Sequence, residues 1–247
     1  MGVDDTDNLE SKGTGNLAQR LVGALREAGL GSASGVTRHQ LLVDPRIPFT
    51  SHNSSACIAW SAEPGVDAEA IAHVAGPFLE SASAPGSDPG LAIAAAASWS
   101  YARCRHELVD WGRRAKQEVL DRSEAVMLAA ACAVSLSAHG GDGGGVIGAL
   151  AGVGLHLGGD DGRFLWMPGL RDLAGTVTYD QLRSLAPIDV ARDPAGQEPR
   201  GDDTIDLGDW IRPVLRGSRS VLLLAAQQSD TPSATWTVLP RDAVKVL

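Results

Sequence analysis

Three carboxylates stand close together at the start of the chain, at Asp4, Asp5 and Asp7. Because alternate residues of a strand face opposite sides, Asp5 and Asp7 are predicted to converge while Asp4 points away. Carboxylates this close repel one another unless a cation or hydrogen-bond donors compensate, and Mg²⁺ completed by water and substrate phosphates is a common solution. The motif therefore predicts a metal site at Asp4, Asp5 and Asp7, or alternatively a solvated acidic turn that caps local backbone amides.

A glycine-flanked threonine follows directly, before a helical pattern that starts near Asn16. Glycines let a backbone approach an anion closely, and the first amides of a helix present the positive end of its dipole. The segment consists of Lys12, Gly13, Thr14 and Gly15. Lys12 would neutralise phosphate charge and the two glycines would cradle phosphate, whereas the plainer interpretation is a loop in which Thr14 caps the helix. A Walker phosphate loop is absent.

Two further clusters are candidates for ligand binding. Consecutive polar residues at 50–55 precede a strand pattern, and Asn53, Ser54 and Ser55 are predicted to face a substrate or nucleotide, although a surface loop fits the pattern equally well. A glycine-rich run after His139 contains Asp142 and precedes an apolar helix. Its last three glycines are predicted to offer amides to phosphate or to permit close packing. They are Gly143, Gly144 and Gly145.

A short basic cluster lies on a helical pattern at Arg113, Arg114 and Lys116. A solvated helix face is the usual interpretation of such a cluster. It would clamp phosphate only if its helix borders the glycine-rich run. The three cysteines are odd in number and widely spaced, so neither a disulfide framework nor a zinc site is expected, and the thiols are predicted to be buried apolar side chains in a reducing compartment.

Composition bounds the class of protein. The chain has 247 residues, of which 44% are hydrophobic, and a formal net charge of −9. That charge argues against broad binding to nucleic acid or to anionic membranes, which needs clustered lysine and arginine. No apolar run approaches the roughly 18 residues of a membrane span, so no membrane association and a cytoplasmic location are expected. The very short stretch before the first aspartate suggests that the native start lies upstream.

Strand and helix patterns alternate along the chain, which predicts a mixed α/β fold. Helical spacing runs from Asn16, and Ser123 is a candidate N-cap of a later helix, whereas the run beginning at Leu91 fits either a strand or a helix. Two apolar runs near the end of the chain predict a hairpin. We expect one composite unit over residues 1–247, and if a subdivision exists, it separates a kinase-like part at 1–122 from a second α+β part at 123–247.

The clusters, in this order, resemble the kinase part of the archaeal tRNA(Ile) agmatinylcytidine synthetase family. The resemblance rests on the segment Gly2–Ala18, on the proline-containing run at 46–56, on GRRAKQEV and on GGGVIGALAGVG followed by DDGRFLW. It implies a kinase-domain-like fold that hydrolyses ATP, with the aspartates at the metal and nucleotide and Thr14 at the position of a phosphate acceptor.

The chain departs from that family's pattern at several positions. The family's usual Cys-Thr-Thr run is Gly13-Thr14-Gly15 here, and its basic Lys-Thr-Arg-Gly-Asn stretch is the uncharged run at 50–54 apart from His52. The family's OB-fold and zinc ribbon, which serve tRNA, have no counterpart in a chain of this length and cysteine content. The resemblance therefore favours the ATP site over nucleic-acid binding.

The leading hypothesis is a stand-alone ATP- and Mg²⁺-dependent phosphotransferase or ligase-like enzyme that acts on a small molecule, with Asp5, Asp7 and Thr14 as catalytic residues. The first alternative is a non-catalytic nucleotide- or metabolite-binding module. The second is a tRNA-modification protein whose partner supplies the RNA contacts. A homodimer is a further alternative for its assembly.

Overall fold

A computed structural model of the chain describes residues 1–50, 52–96, 102–227 and 235–246. They fall into two compact units, Met1–Gly162 and Arg163–Leu247. The helices are α1 (Thr14–Glu27), α2 (Ala68–Ala82), α3 (Ala102–Arg114), α4 (Arg122–Ala131), α5 (Gly145–Gly158), α6 (Tyr179–Leu185) and α7 (Arg241–Val246). The strands are β1 (Gly2–Asp4), β2 (Gly31–Gln40), β3 (Ser54–Ala62), β4 (Gly90–Ile93), β5 (Ser135–Ala138), β6 (Arg163–Trp166), β7 (Thr176–Thr178), β8 (Val190–Arg192), β9 (Thr204–Asp206), β10 (Val214–Arg216), β11 (Arg219–Gln227) and β12 (Thr235–Val238). The predicted mixed α/β class is confirmed.

The strands of the first unit follow the order β5-β4-β1-β3-β2, and each neighbouring pair is antiparallel. The three-residue strand β1 therefore lies in the centre, where Gly2 pairs with Cys57 of β3 and with Ala92 of β4. Because side chains alternate along a strand, Gly2 and Asp4 face the same layer. Helix α5 packs on β1, β3 and β4. Helices α1 and α2 pack with each other, and α1 also packs against β2 and β3, whereas α2 packs against β4 and β5.

Helix α5 approaches the sheet closely because glycines line the face that meets it. Gly145, Gly148 and Gly152 are spaced to lie on one side of the helix. A Cβ atom at Gly148 would overlap the Asp4 carboxylate, and one at Gly152 would crowd the Ser55 hydroxyl. Gly148 and Gly152 therefore let α5 lie close to β1 and β3.

The hydrophobic core under α5 joins residues on both sides of position 122. Trp111 of α3, Ala125 of α4 and Leu150 of α5 belong to one buried cluster. The compact units divide after Gly162, and this shared core ties α3 to α4 and α5 within the first unit. The subdivision near residue 122 stays a prediction. Whether residues 1–247 act as one composite unit stays a prediction.

Several local expectations are refined by the structure. The run beginning at Leu91 forms strand β4, because it pairs with both β1 and β5. The N-cap of α4 is Asp121 and not Ser123, because the Asp121 carboxylate accepts a hydrogen bond from the Ser123 amide at 2.7 Å. Residues 51 and 97–101, which fall in two of the sequence segments considered above, lie outside the described residues.

The second unit has its own core. Its strands follow the order β6-β10-β11-β12-β9-β7, and β8 pairs in parallel with β11. The expected hairpin at the end of the chain is present as the antiparallel pair β11 and β12, in which Leu224 faces Val238. The Trp236 indole is buried in this core and donates a hydrogen bond to the Asp203 carboxylate at 3.2 Å. Across the residues described in both units, no helix has the length and apolar character needed to cross a membrane.

Candidate functional site

The central strand β1 delivers Asp4 to the wall of a cavity of about 250 Å³. The Asp4 side chain is half-buried against Gly148 of α5, where no Cβ competes for the space. Burial, followed by the negative charge of Asp5, raises the pKa of Asp4 from 3.8 to about 8. In the absence of a cation, this carboxyl therefore keeps its proton at neutral pH.

Asp5 and Asp7 leave the strand and reach the same cavity. The backbone of Asp5 has a φ of 49°, in the left-handed region that a non-glycine residue adopts infrequently, so the chain turns sharply where β1 ends. Burial and the nearby charge of Asp88 raise the pKa of Asp5 to about 6. The structure thus brings all three aspartates of the opening motif to one cavity, with Asp4 included and not turned away as the alternation argument expected.

Two further aspartates that the sequence did not single out as site residues complete the acidic wall. Asp88 precedes β4 and Asp142 precedes α5, and both line the cavity. Burial and a hydrogen bond shared with Asp142 raise the pKa of Asp88, and the same hydrogen bond lowers the pKa of Asp142. A cation can replace the proton that two such carboxyls share. The sequence signal was weak, because Asp88 lies in a loop of ordinary composition.

The glycine-rich run is already engaged by one of these aspartates. The amides of Gly143 and Gly144 both donate to the Asp88 carboxylate, the first at 2.8 Å. Gly144 and Gly145 line the cavity, but a Cβ at Gly145 would overlap the Asp88 backbone. The amides that the sequence predicts to bind phosphate therefore bind the Asp88 carboxylate and anchor it at the start of α5.

Another part of the cavity lining is apolar and is called the apolar wall. It combines residues from the loop after β2 with residues from the segment after α3 and one from α5. They are Leu41, Ile47, Pro48, Phe49, Val119, Leu120 and Ile147. Phe49 and Val119 are 41% and 39% exposed, so two large apolar side chains face solvent beside the acidic wall. An exposed apolar face of this kind commonly marks a ligand surface.

The helix start at α1 lies beside the cavity wall without forming part of it. Lys12, Gly13, Thr14 and Gly15 are absent from the cavity lining, and Lys12 is exposed. The Thr14 side chain is buried, where its hydroxyl accepts from Thr6 at 3.2 Å and donates to the Asp7 carboxylate at 3.3 Å. Asp7 therefore connects the cavity to the predicted phosphate loop, while the Gly13 backbone serves as the N-cap.

The polar run before β3 divides between the cavity and the interior. Asn53 and Ser54 line the cavity. The Asn53 amide donates to the Leu42 carbonyl at 2.6 Å, and the Ser54 hydroxyl accepts from Arg38 at 3.0 Å, so both side chains are held in place. Ser55 points instead towards α5, is 1% exposed and does not line the cavity.

The acidic wall does not form a closed metal cage on its own. Among the described residues, Asp4, Asp5 and Asp7 do not bring three carboxylate oxygens within 4.8 Å of one another. Mg²⁺ in proteins usually takes only one or two carboxylates and completes its shell with water and phosphate. The cavity therefore fits a metal that arrives with a phosphorylated ligand better than a permanently bound ion.

A buried hydrogen-bond chain beside the site went unnoticed in the sequence. Thr37 contacts His39 at 2.8 Å and His156 at 3.0 Å, and His39 contacts Asp161 at 3.0 Å. The hydroxyl, imidazole and carboxylate follow the order of a catalytic triad. Thr37 and His39 are both fully buried, however, so they tie β2 to α5 and to the loop that follows it.

Two of the three residues of the basic cluster form ion pairs. Lys116 pairs with Asp161, and Arg114 pairs with Glu118 at 3.2 Å and with Glu124 at 3.1 Å. Arg113 is exposed, and none of the three basic residues lines the cavity. The lining contains one arginine, Arg46, which is itself paired with Asp44 at 2.8 Å.

The fold and the cavity define a mixed α/β protein with a strongly acidic, half-apolar ligand site. No protein-family model and no curated protein sequence matches the chain. Solved structures that resemble it include those of TiaS, a tRNA agmatidine synthetase. The apo TiaS structure is 23% identical, with a TM-score of 0.48 over 62% of this chain and 34% of the TiaS chain.

Two ligand complexes of TiaS show the same extent of similarity. The complex of TiaS with tRNA and ATP is 23% identical over 62% of this chain and 35% of that chain, with a TM-score of 0.49. The complex with tRNA, AMPCPP and agmatine is 22% identical over the same shares, with a TM-score of 0.47. The chain thus spans about a third of the length of TiaS. The function of this chain is therefore argued from the cavity itself.

Proposed function

We propose that the cavity binds ATP together with Mg²⁺, and that the protein transfers a phosphoryl or nucleotidyl group from it to a small molecule. The observation that carries the proposal is the meeting of five aspartates from three separate segments against one apolar wall. A metal-bound nucleotide would contact both groups, because its metal would bind the aspartates and its ring would pack on the apolar wall.

The charge of the acidic wall supports a divalent cation. The pKa values of Asp4 and Asp5 are raised to about 8 and about 6, so the carboxylates resist being ionised together. A free phosphate would meet the same repulsion, because the lining offers few compensating cations. Mg²⁺ between the carboxylates and the phosphates would offset both the repulsion among the carboxylates and their repulsion of the phosphates. It is held by one or two carboxylates and by substrate oxygens.

The apolar wall supports a planar ring as the second half of the ligand. Phe49 and Val119 remain substantially exposed beside the carboxylates, although burying them in the core would be favourable. An adenine ring on this wall would cover them. The held amide of Asn53 and the hydroxyl of Ser54 lie in the same lining and would supply polar contacts to the ligand.

Group transfer from such a complex depends on positioning and electrostatics. Asp5 and Asp7 would orient the metal, with Asp4 assisting once the cation lowers its pKa. Thr14 is the candidate acceptor of a transient phosphate, because its hydroxyl already donates to Asp7 at 3.3 Å. To reach a nucleotide, the buried Thr14 side chain would have to turn towards the cavity. Lys12 and Gly15, at the start of α1, would move with it.

A second candidate function is a nucleotide-binding module without turnover. It is favoured by the burial of Thr14 outside the cavity lining and by the engagement of Gly143 and Gly144 with Asp88. Both features withdraw the groups that would stabilise transferred phosphate. The tRNA-related function, the homodimer and the cytoplasmic location stay predictions.

Binding and turnover are tested separately. Titration with a fluorescent ATP analogue is expected to show saturable binding in Mg²⁺ and at least roughly tenfold weaker binding in EDTA or in Asp5→Asn, because a charge-assisted contact is worth more than about 1.4 kcal/mol. Asp110→Asn is the matched control, since Asp110 is exposed on α3 away from this cavity. Equal binding with and without the metal by a folded protein refutes the proposal.

Phosphorus NMR of ATP incubated with pooled amines, alcohols and carboxylates then identifies ADP or AMP as the product. Thr14→Val and Thr14→Ser separate the two functions: an enzyme that uses the hydroxyl loses turnover in the valine variant and retains part of it in the serine variant. Metal-dependent binding without turnover in any pool selects the binding module.

A further inference from the structure

A second cluster of metal-binding side chains lies at the junction of α3 and α4, in residues that the proposed function does not use. Cys104, Glu107 and Cys132 place one donor atom each within 4.8 Å of the other two. Cys104 and Glu107 are three residues apart on α3, so they share a helix face. Cys132 is the C-cap of α4, which brings the second sulfur onto that face.

The donor spacing suits a tetrahedral ion. With zinc–sulfur bonds of about 2.3 Å and zinc–oxygen bonds of about 2.0 Å, tetrahedral ligands lie roughly 3.5 to 3.8 Å apart. The Cys132 sulfur is 3.8 Å from the nearer Glu107 oxygen. Side-chain rotations of a few tenths of an ångström to about 1 Å would close the set around one ion, without movement of either helix.

The carboxylate of the cluster is held in an orientation that suits this role. Arg103 donates to one oxygen of Glu107 at 2.9 Å, and the other oxygen faces Cys132. Outer partners of this kind orient metal ligands. Glu107 also lines a separate surface cavity of about 280 Å³, so this member of the cluster is open to solvent.

We propose that Cys104, Glu107 and Cys132 form a Zn²⁺ site that fastens the start of α3 to the end of α4. Each thiol releases its proton to solvent as its sulfur binds the ion, and Glu107 binds as a carboxylate. Two sulfurs and one oxygen favour a borderline-soft ion over Mg²⁺. Packing brings together two cysteines that the sequence separates, which spacing along the chain does not reveal.

The test uses the reduced full-length chain with Co²⁺ as a spectroscopic probe, in excess Mg²⁺ so that the acidic cavity is saturated. We expect one equivalent of Co²⁺ to produce sulfur-to-cobalt charge-transfer absorption, and one equivalent of Zn²⁺ to displace it. Because loss of an outer partner weakens binding 10–100-fold, loss of a ligand in Cys104→Ser should weaken Zn²⁺ binding by more than about 100-fold. Arg103→Ala should weaken it by about 10-fold.

Cys57→Ala is the matched control, because Cys57 lies buried in β3 outside the cluster and should leave the titration unchanged. Cys104→Ser is preferred to Cys132→Ser because Cys104 is only half-buried, so the variant is expected to fold. The proposal is overturned if no sulfur-to-cobalt band forms, if the band persists in Cys104→Ser, or if the pair takes up no metal and closes to a disulfide in hydrogen peroxide.

Discussion

The most direct test of the acidic site is Asp4→Asn, which removes a charge without changing the shape of the side chain. Asp4 has a pKa of about 8 in the metal-free protein, against an ordinary value of 3.8. A raised native pKa means that the stability contributed by the protonated carboxyl is complete below pH 3.8 and is lost as pH rises towards 8. At about 1.4 kcal/mol per pH unit, the native carboxyl costs about 4 kcal/mol at pH 7.

Because the side chain is only half-buried, water entering the cavity screens part of this cost. We therefore expect Asp4→Asn to be about 2 to 4 kcal/mol more stable than the parent protein at pH 7 in EDTA. The advantage should disappear near pH 4, where both side chains are neutral. Mg²⁺ with ATP should stabilise the parent protein more than the variant, since the variant retains Asp5 and Asp7 but lacks the assisting carboxylate.

Urea unfolding followed by tryptophan fluorescence measures these differences. Trp111 is a suitable reporter, because it is 2% exposed and donates to the Ile147 carbonyl of α5 beside the cavity. Asp110→Asn serves as the control, and its free energy of unfolding should match that of the parent protein at each pH measured. If Asp4→Asn is as stable as the parent protein at pH 7 in EDTA, or less stable, the assignment of Asp4 as a strained carboxyl is wrong.

Two further predictions address α5. Gly148→Ala should lower the free energy of unfolding by roughly 1–3 kcal/mol and abolish Mg²⁺-dependent ATP binding, because its Cβ would overlap the Asp4 carboxylate. Gly23→Ala, at a helix position with open space, should raise the free energy of unfolding by roughly 0.5–1 kcal/mol. Equal effects of the two substitutions would contradict the packing argument. Burial and then the charge of His39 lower the pKa of His156 from 6.5 to about 3, so its stability contribution is complete above pH 6.5 and lost as pH falls towards 3. Relative to His156→Gln, the parent protein should lose about 2 kcal/mol between pH 6.5 and 4.5 in urea titrations, and parallel pH profiles would refute this.

The sequence predicted what depends on neighbours along the chain. The acidic motif, the helix after Thr14 and the fold class all follow from spacing within a few residues, and each is present. The N-cap at Asp121 and the division after Gly162 were not predicted, because two acceptors compete for one cap and because a shared core has no local signature. The assignment of Thr14 to phosphate stays a prediction, since its hydroxyl faces Asp7.

By itself, the sequence determined that carboxylates, glycines and a helix start occur together, and that the chain alternates between strands and helices. Only the tertiary structure decided which carboxylates share the cavity. Asp88 reaches Asp4 because β4 pairs with β1 across more than eighty residues, and Asp142 joins them because the amides of Gly143 and Gly144 bind Asp88. The same long-range packing brings Cys104 to Cys132. Periodicity carries no record of such contacts, since they are set by which surfaces are buried together.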